Sequence, residues 1–239
     1  MPAVILAVSG HPERRDGLVA AARRLGDLTG NGRVRVLALP PAPATGIPGV
    51  PADVLPVDVL PIGADVAAEV ETRGSRADVV VVAQPGPEDT RTIRHAFEAA
   101  LFKTERPVLM VPSDGPPDVF GRRVAIAWRD DARTLKALVP ALRLFAGAEQ
   151  VHLVAGVPAG AATPVMPAVL VEHGVSATLH VLATGPEPFG QILLGRVREL
   201  NADLLIMGAF AHGPLLDMLF GGTTRHILAH ADLPVLMRY

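Results

Sequence analysis

The segment ADLLIMGAFAHGPLLDMLFGGTTR, residues 202–225, decides how this chain is read. Four large apolar residues, Leu204 to Met207, stop at Gly208; a loop holding Gly213, Gly221 and Gly222 follows and ends on Thr223, Thr224 and Arg225. A short unbroken apolar run bounded by turn residues predicts a strand buried on both faces, as in a parallel sheet covered by helices. Glycines after such a strand let the backbone approach a ligand and turn N–H groups inward. The stretch from Thr224 to Ala231 predicts a helix, whose first N–H groups lack intrahelical partners and carry partial positive charge. In this order the three parts form a candidate anion site beyond the carboxyl end of a strand. The plainer alternative makes Gly221-Gly222 a tight turn before a helix capped by Thr223 or Thr224.

The same strand occurs earlier. Ala77 to Val82 (ADVVVV) answers Ala202 to Met207 (ADLLIM) at an offset of 125 residues, and PVLM at 107–110 answers PVLM at 234–237 at an offset of 127. Nearly equal offsets predict an internal duplication. The boundaries that follow are a first domain over 1–112, a linker over 113–120 marked by Gly115, Pro116 and Pro117, and a second domain over 121–239. In the first domain, strands are predicted at 3–8, 34–39, 77–83 and 107–111, and helices at 13–28, 63–73 and 88–103. Residues 40–61, rich in proline, glycine and alanine, read as an irregular insertion. In the second domain, strands are predicted at 123–128, 151–157, 177–183, 202–207 and 234–237. Helices are predicted at 130–145, 166–173, 187–201 and 224–231. Such alternation implies parallel strands joined by right-handed crossovers.

Composition narrows the function. Hydrophobic residues are 49% of the chain but aromatics only 4%, so the cores must be aliphatic. A net charge of −2 supplies no basic field for a phosphate backbone, so nucleic acid is not expected as a partner. The absence of cysteine excludes disulfides, thiolate zinc sites and cysteine nucleophiles. No stretch approaches the ~20 apolar residues needed to span a bilayer. The apolar N-terminal run reads as a buried strand rather than a leader, so a cytoplasmic protein without membrane contact is expected. No Gly-x-Ser-x-Gly, Walker lysine or triad pattern is present, so catalysis is not expected.

The 202–225 segment resembles the nucleotide-binding signature of the universal stress protein family: glycine, two residues, glycine, nine residues, glycine, then a small or hydroxyl residue. The matching positions are Gly208, Ala211, Gly221 and Gly222, followed by Thr223 and Thr224. RRVAIAWRDDARTLKALVPAL at 122–142 resembles the opening strand and helix of the second domain in tandem members. AFEAALFKTERPVLMVPSD at 96–114 resembles the end of their first domain. The resemblance implies two tandem five-stranded parallel sheets of order 3-2-1-4-5 with helices on both faces, an adenine-nucleotide alpha-hydrolase-like fold. It also implies pairing of the two last strands in an intramolecular pseudo-dimer, with homo-oligomers formed by some members. As ligand it implies ATP or AMP, with Mg²⁺ beside a triphosphate. Gly208, Ala211, His212, Gly213, Gly221, Gly222, Thr223 and Thr224 would surround the phosphates, and Trp128, Arg129, Asp130 and Ala155 the base or ribose.

This chain departs from the family pattern at several places. Ala211 stands where the pattern has its second glycine, Asp217 lies in the loop, and Arg129 stands where nucleotide-binding members carry aspartate. Two readings therefore stand: a nucleotide-binding stress-response protein with at most weak ATPase activity, or a nucleotide-free member acting by protein association. The first domain, with Gln84-Pro-Gly-Pro-Glu-Asp89 after its strand, has no glycine loop and is not expected to hold phosphate. His226 and His230, four apart on a helix, read as packing or exposed side chains rather than metal ligands. Trp128 reads first as a packing residue, Asp130 and Asp131 as helix caps, and the apolar run 215–220 as core cover or a partner surface.

Overall fold

In the computed structural model of the chain, residues 3–30, 32–39, 57–61, 63–116, 119–209 and 222–239 are described. The chain divides into two compact units, Met1–Asp118 and Val119–Tyr239.

The first unit contains β1 (Val4–Ser9), α1 (Arg15–Leu28), β2 (Arg33–Ala38), β3 (Val57–Val59), α2 (Val66–Gly74), β4 (Val79–Ala83), α3 (Arg91–Lys103) and β5 (Val108–Val111). Its strands are parallel in the order β3-β2-β1-β4-β5. Leu18, Val19, Ala21, Ala22 and Leu25 of α1 are buried, a 3.6-residue stripe. That helix stops where Thr29 Oγ1 donates to Leu25 O at 2.9 Å and Gly30 takes φ +84°. The second unit contains β6 (Arg123–Trp128), α4 (Ala132–Ala141), β7 (Gln150–Pro158), α5 (Ala168–Glu172), β8 (Thr178–Thr184), α6 (Phe189–Glu199), β9 (Leu204–Gly208), α7 (Thr223–His230) and β10 (Val235–Arg238). Its order is β8-β7-β6-β9-β10, again all parallel. Each unit thus has the expected 3-2-1-4-5 sheet.

The repeated aspartates have one structural task in both units. Asp78 Oδ2 accepts from Val4 N at 2.7 Å, at the start of β1. Asp203, its counterpart, accepts from the N–H groups of Gly121, Arg122 and Arg123 at the start of β6. Each carboxylate ties the beginning of the first strand to the beginning of the fourth, satisfying N–H groups that precede the ladder.

Three elements differ from expectation. The supposed irregular stretch 40–61 ends in strand β3, whose Val57 and Val59 register with Val36 and Ala38. Its Asp58 is held by Arg73 at 2.5 Å and Arg35 at 3.6 Å, so a three-residue edge strand survives between prolines through ion pairs that short-range pattern does not reveal. Residues 40–56 lie outside the described residues. The helix expected over 130–145 is α only to Ala141 and then 3₁₀ from Leu142 to Gly147. Pro140 has no N–H to give to Lys136 O, and Arg238 Nη1 approaches that carbonyl at 3.5 Å instead. The helix expected over 166–173 is reduced to α5, which begins after Pro167.

On neighbouring strands β7 and β8, His152 Nδ1 lies 3.2 Å from His180 Nε2, and Gln150 Oε1 lies 3.2 Å from His152 Nε2. Partial burial pushes both imidazoles below the usual histidine range, and His180 is lowered further by His152 and by Arg196 of α6. The unfolded chain therefore takes up protons first. Nothing is lost above the unfolded value near ~6.5, and stability falls as pH drops through it toward the lower folded values. Thermal unfolding between pH 7.5 and 5.5 is expected to show this fall. His152→Gln/His180→Gln should flatten it, and an unchanged slope in that variant would refute the assignment.

Candidate functional site

The second unit has a pocket of about 350 Å³ at the carboxyl ends of its strands. The chain runs outward from β6 to β7 and β8, then returns through α6 to β9 on the other side of β6. This reversal leaves a crevice at the switch point, where open α/β sheets take ligands. Ala127, Trp128 and Arg129 line it from β6, Gly156 from β7, Thr184 from β8, and Met207, Gly208 and Ala209 from β9. Adjacent strands are ~4.8 Å apart, so β8 to β9 gives the pocket a length of ~14 Å.

One wall is apolar. Phe189, the first residue of α6, lies so close to Gly156 that a Cβ there would come within 2.5 Å of its ring, and Thr184 flanks both. Leu193 and Met207 extend this surface. The other end is polar and carries Gly222, Thr223 and Thr224 at the start of α7. Gly222 is the N-cap residue of α7 and offers no side-chain cap of its own, so neither threonine stands at the capping position that the plainer reading gave it. Both sit inside the helix, one and two positions past the cap, because extended Gly222 already starts it. Pro188 likewise gives α6 no side-chain cap.

Between the two ends lies a charged pair. Arg129 Nε donates to Asp131 Oδ2 at 2.8 Å. Asp131 Oδ1 accepts from Thr134 N at 2.8 Å and Thr134 Oγ1 at 3.0 Å, which caps α4. Partial burial raises the Asp131 pKa, but the hydrogen bonds from Thr134 and Arg129 and the Arg129 charge outweigh it and hold the carboxyl below its usual range. It stays ionised, and both partners of the pair line the pocket.

The structure brings Trp128, Arg129, Gly208, Gly222, Thr223 and Thr224 together around one cavity. Asp130 is exposed and does not line it; the neighbouring Asp131, drawn in by Thr134, does. Ala155 is buried in register with Trp128, and the lining position on β7 is Gly156, one residue nearer the carboxyl end. Trp128 is buried as expected and also lines the pocket. Ala211, His212, Gly213 and Gly221 lie outside the described residues, as do Asp217 and the apolar run 215–220. Gly156, Thr184, Phe189, Leu193 and Thr134 were not legible as site residues. Their only sequence signal is position, at carboxyl ends of predicted strands or in the opening turns of predicted helices. His226 and His230 stack with ring centroids 4.3 Å apart, and the described residues contain no group of three or more metal-binding side chains.

The first unit treats the equivalent place differently. Its α3, the counterpart of α7, is capped by Thr90, whose Oγ1 accepts from Ile93 N at 3.3 Å. A Cβ on Gly10, after β1, would meet the Ile93 side chain at 2.6 Å. His11 bridges the loops, with Nε2 2.8 Å from buried Asp89 and Nδ1 3.1 Å from Glu13. These contacts draw the loop after β1 against the start of α3, and the cavity of this unit, about 270 Å³, lies beside the ends of β4 and β5, lined by Ala83, Val111 and Arg14.

Among the described residues, no helix is long and apolar enough to cross a membrane. A comparison with curated proteins finds no match. Solved structures do match in fold. A universal stress protein from Archaeoglobus fulgidus aligns with a TM-score of 0.73 at 16% identity, covering 100% of this chain and 96% of that one. A putative universal stress protein from Pseudomonas aeruginosa aligns at 0.62 and 14% identity, covering 98% and 92%. The cytoplasmic domain of a prokaryotic cation chloride cotransporter aligns at 0.62 and 16% identity, covering 99% and 95%. The sequence pattern of the Universal stress protein family matches residues 76–237, which carry both copies of the repeated strand, the capped α3 and the uncapped α7. With more than half its length matched by that pattern, the chain belongs to the universal stress protein family.

Proposed function

We propose that the second unit binds an adenine nucleotide, ATP or AMP, as a regulatory ligand in the cytoplasm. One observation carries this reading: α7 opens on the pocket without a side-chain cap, whereas its counterpart α3 is capped from within. The N–H groups of a helix's first turn attract phosphate through hydrogen bonds and the helix dipole. The hydroxyls of Thr223 and Thr224 would add donors there. A length of ~14 Å from β8 to β9 suits a base, sugar and phosphate in a row. Phe189, Gly156 and Thr184 would hold the base, because a planar ring packs well on an aromatic wall. A triphosphate would bring Mg²⁺ with it. Asp131 is already committed to Thr134 and Arg129, and no other carboxylate lines the pocket among the described residues, so no base for hydrolysis is offered.

Calorimetric titration with ATP and AMP, with and without Mg²⁺, tests the reading. Saturable heat is expected, with a change in the fluorescence of Trp128, the one tryptophan in the chain. No heat at millimolar nucleotide would sink it. The result would then favour a nucleotide-free protein acting by association, for which exposed Val165, Val171 and Val181 beside and within α5 and β8 are the supporting feature.

A further inference from the structure

We infer that the nucleotide favoured by this pocket carries a second anionic group on its sugar, a 2′- or 3′-phosphate, which Arg129 receives. This rests on the nucleotide reading above and goes beyond it. Arg129 is the one lysine or arginine lining the pocket among the described residues. It follows β6, which lies between β9 at the phosphate end and β7 at the ring end, so it stands over the sugar of a nucleotide laid along the pocket. Asp131 holds it only through Nε, and Asp131's second oxygen is taken by Thr134. The pair therefore engages the guanidinium through Nε and leaves its two terminal nitrogens outside that bond as a fork, on a side chain that is 59% exposed.

A ribose offers this fork two neutral hydroxyls. Binding would then exchange water around a cation for acceptors that do not balance its charge. A phosphate on the 2′- or 3′-oxygen offers paired anionic oxygens that match the fork, and such charge-assisted bonds are about twice as strong as neutral ones. The 5′-phosphate has its own donors at the start of α7 and does not need the arginine.

The test is calorimetric titration of the full chain with adenosine 5′-monophosphate, adenosine 2′,5′-bisphosphate and adenosine 3′,5′-bisphosphate, on the wild type, Arg129→Gln and Arg129→Lys. At least one bisphosphate is expected to bind about tenfold or more tightly than the monophosphate. Whichever wins identifies the sugar position. Arg129→Gln should bring that ratio to about one, and Arg129→Lys, a cation without the fork, should leave it between. Thermal unfolding of the variants confirms that the fold is kept. Bisphosphate and monophosphate binding alike to the wild type would overturn the inference and leave the nucleotide reading intact. So would a ratio unchanged by Arg129→Gln, which would mean that the arginine does not receive the second phosphate. No binding by any of the three would overturn both.

Discussion

Gly222→Asp is expected to make the protein slightly more stable and nearly unable to bind nucleotide. Gly222 is the N-cap of α7, with φ −61° and ψ 164°, a conformation that any residue adopts. Aspartate is among the best N-cap residues, and its carboxylate accepts from the N–H groups two or three positions on. The helix should gain a few tenths to about 1 kcal/mol. The same carboxylate then occupies the donors proposed for phosphate and repels it by charge. Loss of the charge-assisted bonds should cost at least about 100-fold in affinity for AMP and ATP. Opposite signs in the two measurements separate a blocked site from a damaged fold. If melting temperature rises and affinity is unchanged, phosphate does not sit at α7.

Gly190→Ala should have the largest effect on stability. Gly190 lies in α6 against α7, where a Cβ would come within 2.7 Å of His226 Cβ and 3.1 Å of Thr223 O. Neither atom is the far end of a flexible side chain, so the two helices must part. Overpacking of this kind costs about 1–3 kcal/mol, more than the gain of up to about 1 kcal/mol that alanine normally brings to a helix interior. Gly195, five residues on in the same helix, has nothing within 4 Å of its would-be Cβ. Gly195→Ala should therefore raise the melting temperature while Gly190→Ala lowers it by several degrees. Equal effects of the two substitutions would show that α6 and α7 are not in the contact described. Because Gly190 abuts the backbone of Thr223, its variant should also weaken nucleotide binding.

Much of the fold could be read from short-range pattern. Buried parallel strands announce themselves by runs such as VVVV at 79–82 and LLIM at 204–207, and helices by 3.6-residue stripes as in α1. The pattern failed where the deciding partner was remote. β3 exists because Val57 and Val59 pair with β2 and Asp58 meets Arg73, none of which a three-residue run between prolines discloses. Pro140 was visible, but that α4 would pass into a 3₁₀ turn, with Arg238 approaching the carbonyl it leaves unbonded, was not.

The site divides in the same way. By itself the sequence determined the duplication, the parallel α/β class and the glycine-to-threonine segment from Gly208 to Thr224, because these are local in the chain. The structural difference between the two units was foreshadowed by the missing glycine loop after Val82. Its physical form, Thr90 capping α3 and Ile93 against Gly10 in one unit and an uncapped α7 over an open pocket in the other, belongs to the tertiary structure. So do the choice of Asp131 over Asp130 and Gly156 over Ala155, and the entry of Phe189 and Thr184. A pocket wall is made by strand ends and helix starts that the sheet order brings side by side. The distance along the chain from Trp128 to Phe189 or Thr223 carries no trace of that neighbourhood.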